Sequence, residues 1–284
     1  MCALEEGRYR SSSDTPTPPG VVRKILRTAD GVPLDVMYEP CTAGFAQDST
    51  ADHEGFGGTA IVVAHGFTGS LERPAIRRAA RVFARRAAVV TFSFRGHGAS
   101  GGRSTVGDRE VLDVVAAVEW ARSLGHTRVV TVGFSMGGSV VLRHAALHGG
   151  RHGGRMEAES DAVVSVSAPA RWYYRGTAPM RRLHWVVTRP TGRFVGRVGF
   201  RTRIHDREWN PVPLSPTEAI PLIAPTPLLL VHGDRDPYFP LDHPHMLAAA
   251  GPAELWVERG MGHAENAADE ALLGRIGGWL VPER

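Results

Sequence analysis

Short, continuous apolar runs alternate along this chain with longer stretches in which apolar residues return every three or four positions. The run Thr59 to Ala64 is unbroken and β-branched, as a strand covered on both faces must be. Pro74 then opens an arginine-rich helix to about Arg86, proline being well suited to a first helical position. A strand follows at Ala88 to Phe94. Val111, Val114, Val115 and Val118 recur at helical spacing behind Thr105-x-x-Asp108, which reads as a capping box. The segment RVVTVGF is the next buried strand, SVVLRHAALH continues as helix, and DAVVSVS is another strand. After an interruption come strand PLLLVHG, a helix near 242–250, strand ELWVE and a final helix. Ahead of all these, Val21 to Arg27 and Leu34 to Tyr38 read as a strand pair around the turn at Asp30-Gly31. Strands that alternate with helices imply an α/β fold, with a mostly parallel central sheet flanked by helices.

The length of 284 residues, 43% of them hydrophobic, suits one large domain better than two. Residues 1–20 are rich in Ser, Thr and Pro and are expected to be a disordered tail, leaving 21–284 as a single domain. Residues 41–58 are small, polar and glycine-rich, as in a long loop. The interruption at about 170–215 reads as a short insertion into the domain. No apolar stretch reaches the length of about 18 residues that a membrane span needs, and the first residues lack a signal-type apolar core. A cytoplasmic location is therefore expected. Cys2 and Cys41 provide neither a disulfide framework nor a metal cluster. The formal charge of +4 rests on arginines scattered over helices, such as Arg77, Arg78, Arg81, Arg85 and Arg86. A solvated helix face accounts for these, and no nucleic-acid recognition motif accompanies them.

The densest chemical signal is Gly133-Phe134-Ser135-Met136-Gly137, a G-x-S-x-G between a hydrophobic strand and a helix. A serine hydroxyl is a weak nucleophile at neutral pH. It needs a base within hydrogen-bond reach, and the base needs a partner to fix its tautomer. Two downstream segments offer these groups. VHGDRDPYFP is an apolar strand running into a loop with Asp234 and Asp236, and Gly260-Met261-Gly262-His263 follows strand ELWVE.

With these motifs in the order Ser, Asp, His, the chain resembles the α/β-hydrolase superfamily, in particular its serine esterase and lipase-like members. The likeness covers roughly residues 59–168 and 226–281. It implies an α/β-hydrolase fold with a short cap insertion, and a catalytic triad of Ser135 as nucleophile, His263 as base and Asp236 as orienting acid. Asp234 is expected to be a turn residue bonded within its own loop. The resemblance also implies an oxyanion hole from the backbone N–H groups of Phe67 and Met136, with His65 and Gly66 beside the substrate. Phe94-Arg95-Gly96-His97-Gly98-Ala99-Ser100 is similar to the R-G-H-G-x-S loop of the monoglyceride-lipase-like and proline-peptidase-like branches, and Arg95 and His97 are read as structural.

Residues 171–209 hold seven of the chain's 21 aromatics, among them Trp172, Tyr173 and Trp185, with ten arginines and two acids. As a cap over Ser135 they would contribute Trp172, Tyr173 and Trp185 to an apolar pocket, and the arginines could attract an anionic part of the substrate. The expected partner is a small-molecule acyl substrate, an ester or thioester. No cofactor or metal is expected, and no nucleic acid. Membrane association is not expected either, because no clean amphipathic period survives Pro190 and the glycines of HWVVTRPTGRFVGRVGF. Oligomeric state is not legible. Peptidase, acyltransferase and cofactor-free perhydrolase chemistry stay open on the same triad, as does a non-catalytic ligand-binding relative.

Overall fold

The computed structural model describes residues 20–42, 58–149 and 156–282. Most of the expected tail at 1–20 and of the loop at 41–58 lies outside these residues. The strands are β1 (Val22–Arg27), β2 (Pro33–Glu39), β3 (Thr59–Ala64), β4 (Ala88–Phe92), β5 (Arg128–Phe134), β6 (Val163–Val166), β7 (Leu228–Gly233) and β8 (Glu254–Glu258). They form one sheet in the order β1-β2-β4-β3-β5-β6-β7-β8. The β1–β2 and β2–β4 pairs are antiparallel, and every other neighbouring pair is parallel.

Alternate residues of the central strands feed two cores. Ala60, Val62 and Ala64 of β3 pack with α2 (Val111–Ser123) and α3 (Met136–His148). Ile61 and Val63, with Val130, Val132 and Phe134 of β5, pack with α1 (Pro74–Phe83) and the C-terminal helix. A central strand thus has no polar face, and the unbroken apolar runs of the sequence follow.

Helix α2 begins later than the Thr105-x-x-Asp108 pattern predicts. Thr105 caps no helix with Asp108; its hydroxyl donates to Glu110 at 2.6 Å. Glu110 is fully buried and gathers the 104–107 loop, accepting from Ser104 Oγ at 2.7 Å, Thr105 N at 2.8 Å and Gly107 N at 3.0 Å. One carboxylate satisfying several loop donors replaces the two-residue cap.

Between β6 and β7 lies a helical hairpin, α4 (Ala178–Thr188) and α5 (Pro190–Gly199). It is tied down at two places. Thr177 caps α4 and donates to Tyr238 O at 2.9 Å. Residues 202–205 return along the 96–104 loop, with Arg203 N bonded to Gly96 O, Ser104 N to Arg203 O and His205 N to Ser104 O. The R-G-H-G-x-S loop thereby anchors this return segment. Gly96, at a φ of +76°, has no room for a Cβ against Ser104 N and Arg203 O. The last helices are α6 (Pro216–Ala219), α7 (Asp242–Ala249), α8 (Ala264–Ala267) and α9 (Glu270–Leu280).

Candidate active site

Strand β5 stops at Phe134 and helix α3 starts at Met136, so Ser135 alone makes the turn. It does so at a φ of 52° and ψ of −113°, a strained region for a residue with a side chain. The flanking glycines make this possible. A Cβ at Gly133 would collide with the carbonyl of Gly137, and one at Gly137 with the carbonyl of Ala64. The turn packs on itself and on β3 too closely for any larger residue.

Two loops at the same end of the sheet meet this serine. His263, just after β8, places Nε2 2.8 Å from Ser135 Oγ and Nδ1 2.7 Å from Asp236 Oδ2. Asp236 follows β7, and its other oxygen accepts from the amides of Tyr238 at 2.8 Å and Phe239 at 3.1 Å. Burial acts to raise the Asp236 pKa, but the bond and charge of His263 and these two amides outweigh it and hold the carboxyl below its ordinary value. An ionised Asp236 can only accept, so Nδ1 of His263 carries the ring proton and Nε2 is free to accept from the serine hydroxyl. The Tyr238 ring lies 4.4 Å from the imidazole, centroid to centroid, and limits its rotation. Such a chain of groups can remove the proton from Ser135 Oγ and stabilise the resulting imidazolium.

Asp234 does not bond within its own loop, as the sequence suggested. Its carboxylate accepts from Gly260 N at 2.6 Å, joining the Asp236 loop to the turn that leads to His263.

Above Ser135 opens a cavity of about 450 Å³. Phe67 and Met136 line it beside the serine. Met136 lies in the first turn of α3, where amide N–H groups have no partner inside the helix. Trp172 and Tyr173 line the cavity too, together with Val106, Tyr174, Leu183, Val187, Ile204, Trp209 and Phe239. Trp172 Nε1 is spent on Pro213 O at 2.9 Å and Trp209 Nε1 on Thr105 O at 2.7 Å, so both rings offer apolar faces. Arg171, Arg175, Arg193 and Arg207 face the same space, against Asp206 and Glu208.

Three expectations for substrate contact need correction. His65 is fully buried and does not line the cavity. Its Nε2 accepts from Phe94 N at 2.9 Å and its Nδ1 donates to Gly66 O at 2.7 Å. Burial, with His97 nearby, holds its pKa well below that of a free histidine. A neutral ring in this tautomer pins the loop that carries Phe67. Gly66 is also outside the cavity lining, and its N–H donates to Glu265 Oε1 at 2.9 Å. A Cβ there would meet the Glu265 carboxylate at 2.9 Å, so glycine serves the loop contact rather than the substrate. Trp185 points away from the cavity and is 45% exposed. Helical spacing alone could not separate its outward face from the inward face of Leu183 and Val187.

Arg95 and His97 are buried, and neither lines the cavity. Arg95 bridges Asp30 at 2.7 Å and Asp113 at 2.8 Å, joining the β1–β2 turn to α2. Sequence reasoning missed Glu265, which couples the Phe67 loop to the segment after His263. Its only signal was an acid two positions past the histidine. It also missed Val106 and Ile204, which reach the cavity through the Glu110-organised loop and the 202–205 return segment. Among the described residues, no group of three or more His, Cys, Asp or Glu is placed to hold a metal ion.

Known proteins share this architecture. The structure is similar to an esterase from Pyrococcus furiosus at 23% identity and a TM-score of 0.63, over 92% of this chain and 91% of the other. It is similar to an a/b serine hydrolase without a lid from Xanthomonas campestris, at 19% identity and a TM-score of 0.56, over 94% and 98%. The esterase domain of a Rhodothermus marinus protein gives 18% identity and a TM-score of 0.58, over 92% and 96%. No curated protein matches the sequence. The profile of the Alpha/beta hydrolase family matches residues 61–273, from the strand before the Phe67 loop to the helix after His263. A match that spans most of the chain places this protein in the alpha/beta hydrolase family.

Proposed function

We propose that this chain is a serine hydrolase that cleaves carboxylic esters or thioesters of small apolar acyl groups through an acyl-enzyme. The observation that carries the reading is the connected series from Ser135 Oγ to His263 at 2.8 Å and on to Asp236 at 2.7 Å, opening on an aromatic-lined cavity.

In this reading Ser135 Oγ attacks the substrate carbonyl carbon while His263 Nε2 takes the hydroxyl proton. The carbonyl oxygen becomes an oxyanion facing the N–H groups of Phe67 and Met136, donors worth roughly 3–4 kcal/mol each where they act in the transition state. His263 then protonates the leaving alcohol or thiol, the C–O or C–S bond breaks, and the acyl group stays on Ser135. Water, deprotonated by the same imidazole, hydrolyses the acyl-enzyme and restores the serine. Asp236 keeps its negative charge throughout and fixes the tautomer. The rings of Trp172, Trp209 and Phe239 supply the apolar wall for the acyl chain. That structural neighbours carry esterase in their names supports the choice of ester chemistry.

The test is hydrolysis of p-nitrophenyl acyl esters of increasing chain length by wild type and Ser135→Ala, with organophosphonate labelling alongside. Serine-dependent turnover with a chain-length optimum is expected. Labelling of Ser135 without turnover at any length would shift the reaction to peptide cleavage or acyl transfer. Absence of labelling would favour a ligand-binding role, since only an activated serine reacts quickly.

A further inference from the structure

We propose that the outer face of the α4–α5 hairpin is a docking surface for an anionic lipid bilayer. Helix α5 is built inside out. Its buried residues are Gly192 and Gly196. Gly192 lies so close to α4 that a Cβ would collide with the backbone of Trp185 and Val186. The large apolar residues point the other way: Phe194 is 67% exposed, Val198 66% and Val195 42%, with Trp185 on α4 and Phe200 just beyond α5 also exposed. A globular helix ordinarily turns such residues to the core. Scattered exposed apolar residues call for no explanation, but Phe194, Val195 and Val198 share one face of α5, opposite Gly192 and Gly196, and make an apolar strip of the kind that meets another apolar phase.

Charge identifies that phase. Residues 171–209 carry ten arginines and two acids, a local +8, whereas the whole chain is +4. The remainder of the molecule is therefore −4 by difference. Arg189, Arg197 and Arg201 are exposed among the apolar residues of the patch. A second copy of the chain docking through the same face would set Arg189, Arg197 and Arg201 against their own counterparts, whereas an anionic bilayer meets both features. Headgroups pair with the guanidinium groups while Phe194 and Val198 enter the acyl boundary, and the arginine stems lie along that boundary with their charge in the headgroups. Among the described residues no helix is long and apolar enough to cross a membrane, so the hairpin lies on the surface. The sequence pattern hid this face because Pro190 and the glycines break the apolar period. In the fold, Pro190 starts α5 and Gly192 and Gly196 turn inward, leaving Phe194, Val195 and Val198 on the outside.

Docking rests on the cap alone and is independent of the serine chemistry. Co-sedimentation of the full chain with phosphatidylcholine vesicles, with and without about a third of phosphatidylglycerol, tests it. Binding is expected only to the mixed vesicles. Phe194→Ser with Val198→Ser should weaken it at least tenfold, and Arg189→Gln with Arg197→Gln, or salt at about 0.5 M, several-fold. Ser135→Ala should bind as wild type does, so a failed esterase assay leaves this result untouched. Thermal unfolding of each variant confirms that the fold is intact. Binding to neither vesicle, equal binding to both, or binding unchanged by the Phe194/Val198 substitutions would overturn the proposal. So would a concentration-dependent dimer in sedimentation velocity that these substitutions abolish, which would assign the face to a second copy.

Discussion

The loops at the end of the sheet and the α4–α5 hairpin obey opposite packing rules. Around Ser135 the loops are locked by specific hydrogen bonds: buried ones by which His65 holds the Phe67 loop and Glu265 binds Gly66, and an exposed one by which Asp234 joins the turn before His263. In the hairpin, α4 and α5 meet through glycine and turn large apolar residues to solvent. Precise geometry is needed where charge moves between atoms, and a mis-set group there costs rate directly. A surface that meets a fluid partner needs area and charge, and needs no fixed partner atoms.

Four measurements break or sharpen this contrast. The largest effect is expected from Asp236→Asn, which removes the charge that fixes the His263 tautomer and should lower kcat by about ten-thousandfold. Asp234→Asn keeps an acceptor for Gly260 and should cost less than about tenfold by the same ester assay. Comparable losses at the two positions would undo the assignment of the orienting carboxylate. Next, Phe134→Ala, which hollows the core directly beneath the serine turn, should cost about 3–5 kcal/mol in urea unfolding.

A third effect is pH dependence. Burial lowers the pKa of His97 from 6.5 to about 4 and that of His144 from 6.5 to about 3, and holds His65 well below its ordinary value. These rings stay neutral in the fold and take up a proton only on unfolding once the pH drops below 6.5. Unfolding then binds protons, so stability declines as pH falls, by about 1.4 kcal/mol per pH unit for each such histidine, until the folded values are reached. Urea unfolding at successive pH values measures the slope, and His144→Gln should remove one histidine's share. The smallest effect is expected from Phe194→Ser, which empties no core site and should change stability by no more than about 0.5 kcal/mol. A loss as large as that of Phe134→Ala would mean that Phe194 is held by the fold, and would dissolve the contrast.

The parts of the molecule that were legible in the sequence are those where local pattern and tertiary role coincide. Continuous apolar runs gave β3, β5 and β7 because a strand between two helix layers has no polar face. Ser135 between two glycines, Asp236 past one strand and His263 past another were readable because each sits at a strand end, where the pattern itself stops. The Thr105-x-x-Asp108 pattern misled because Glu110, two residues further on, folds back and supplies more hydrogen bonds to that loop than a two-residue cap can.

By itself the sequence determined the α/β layering, the chain order of Ser135, Asp236 and His263, and the concentration of arginine and aromatic residues at 171–209. Only the tertiary structure decided which of those aromatics face the cavity, that His65 and Gly66 brace a loop rather than touch substrate, and that α5 carries its apolar residues outward. The physical reason is that periodicity fixes which residues share a face, while the neighbour against which that face packs is chosen by contacts between segments far apart in the chain.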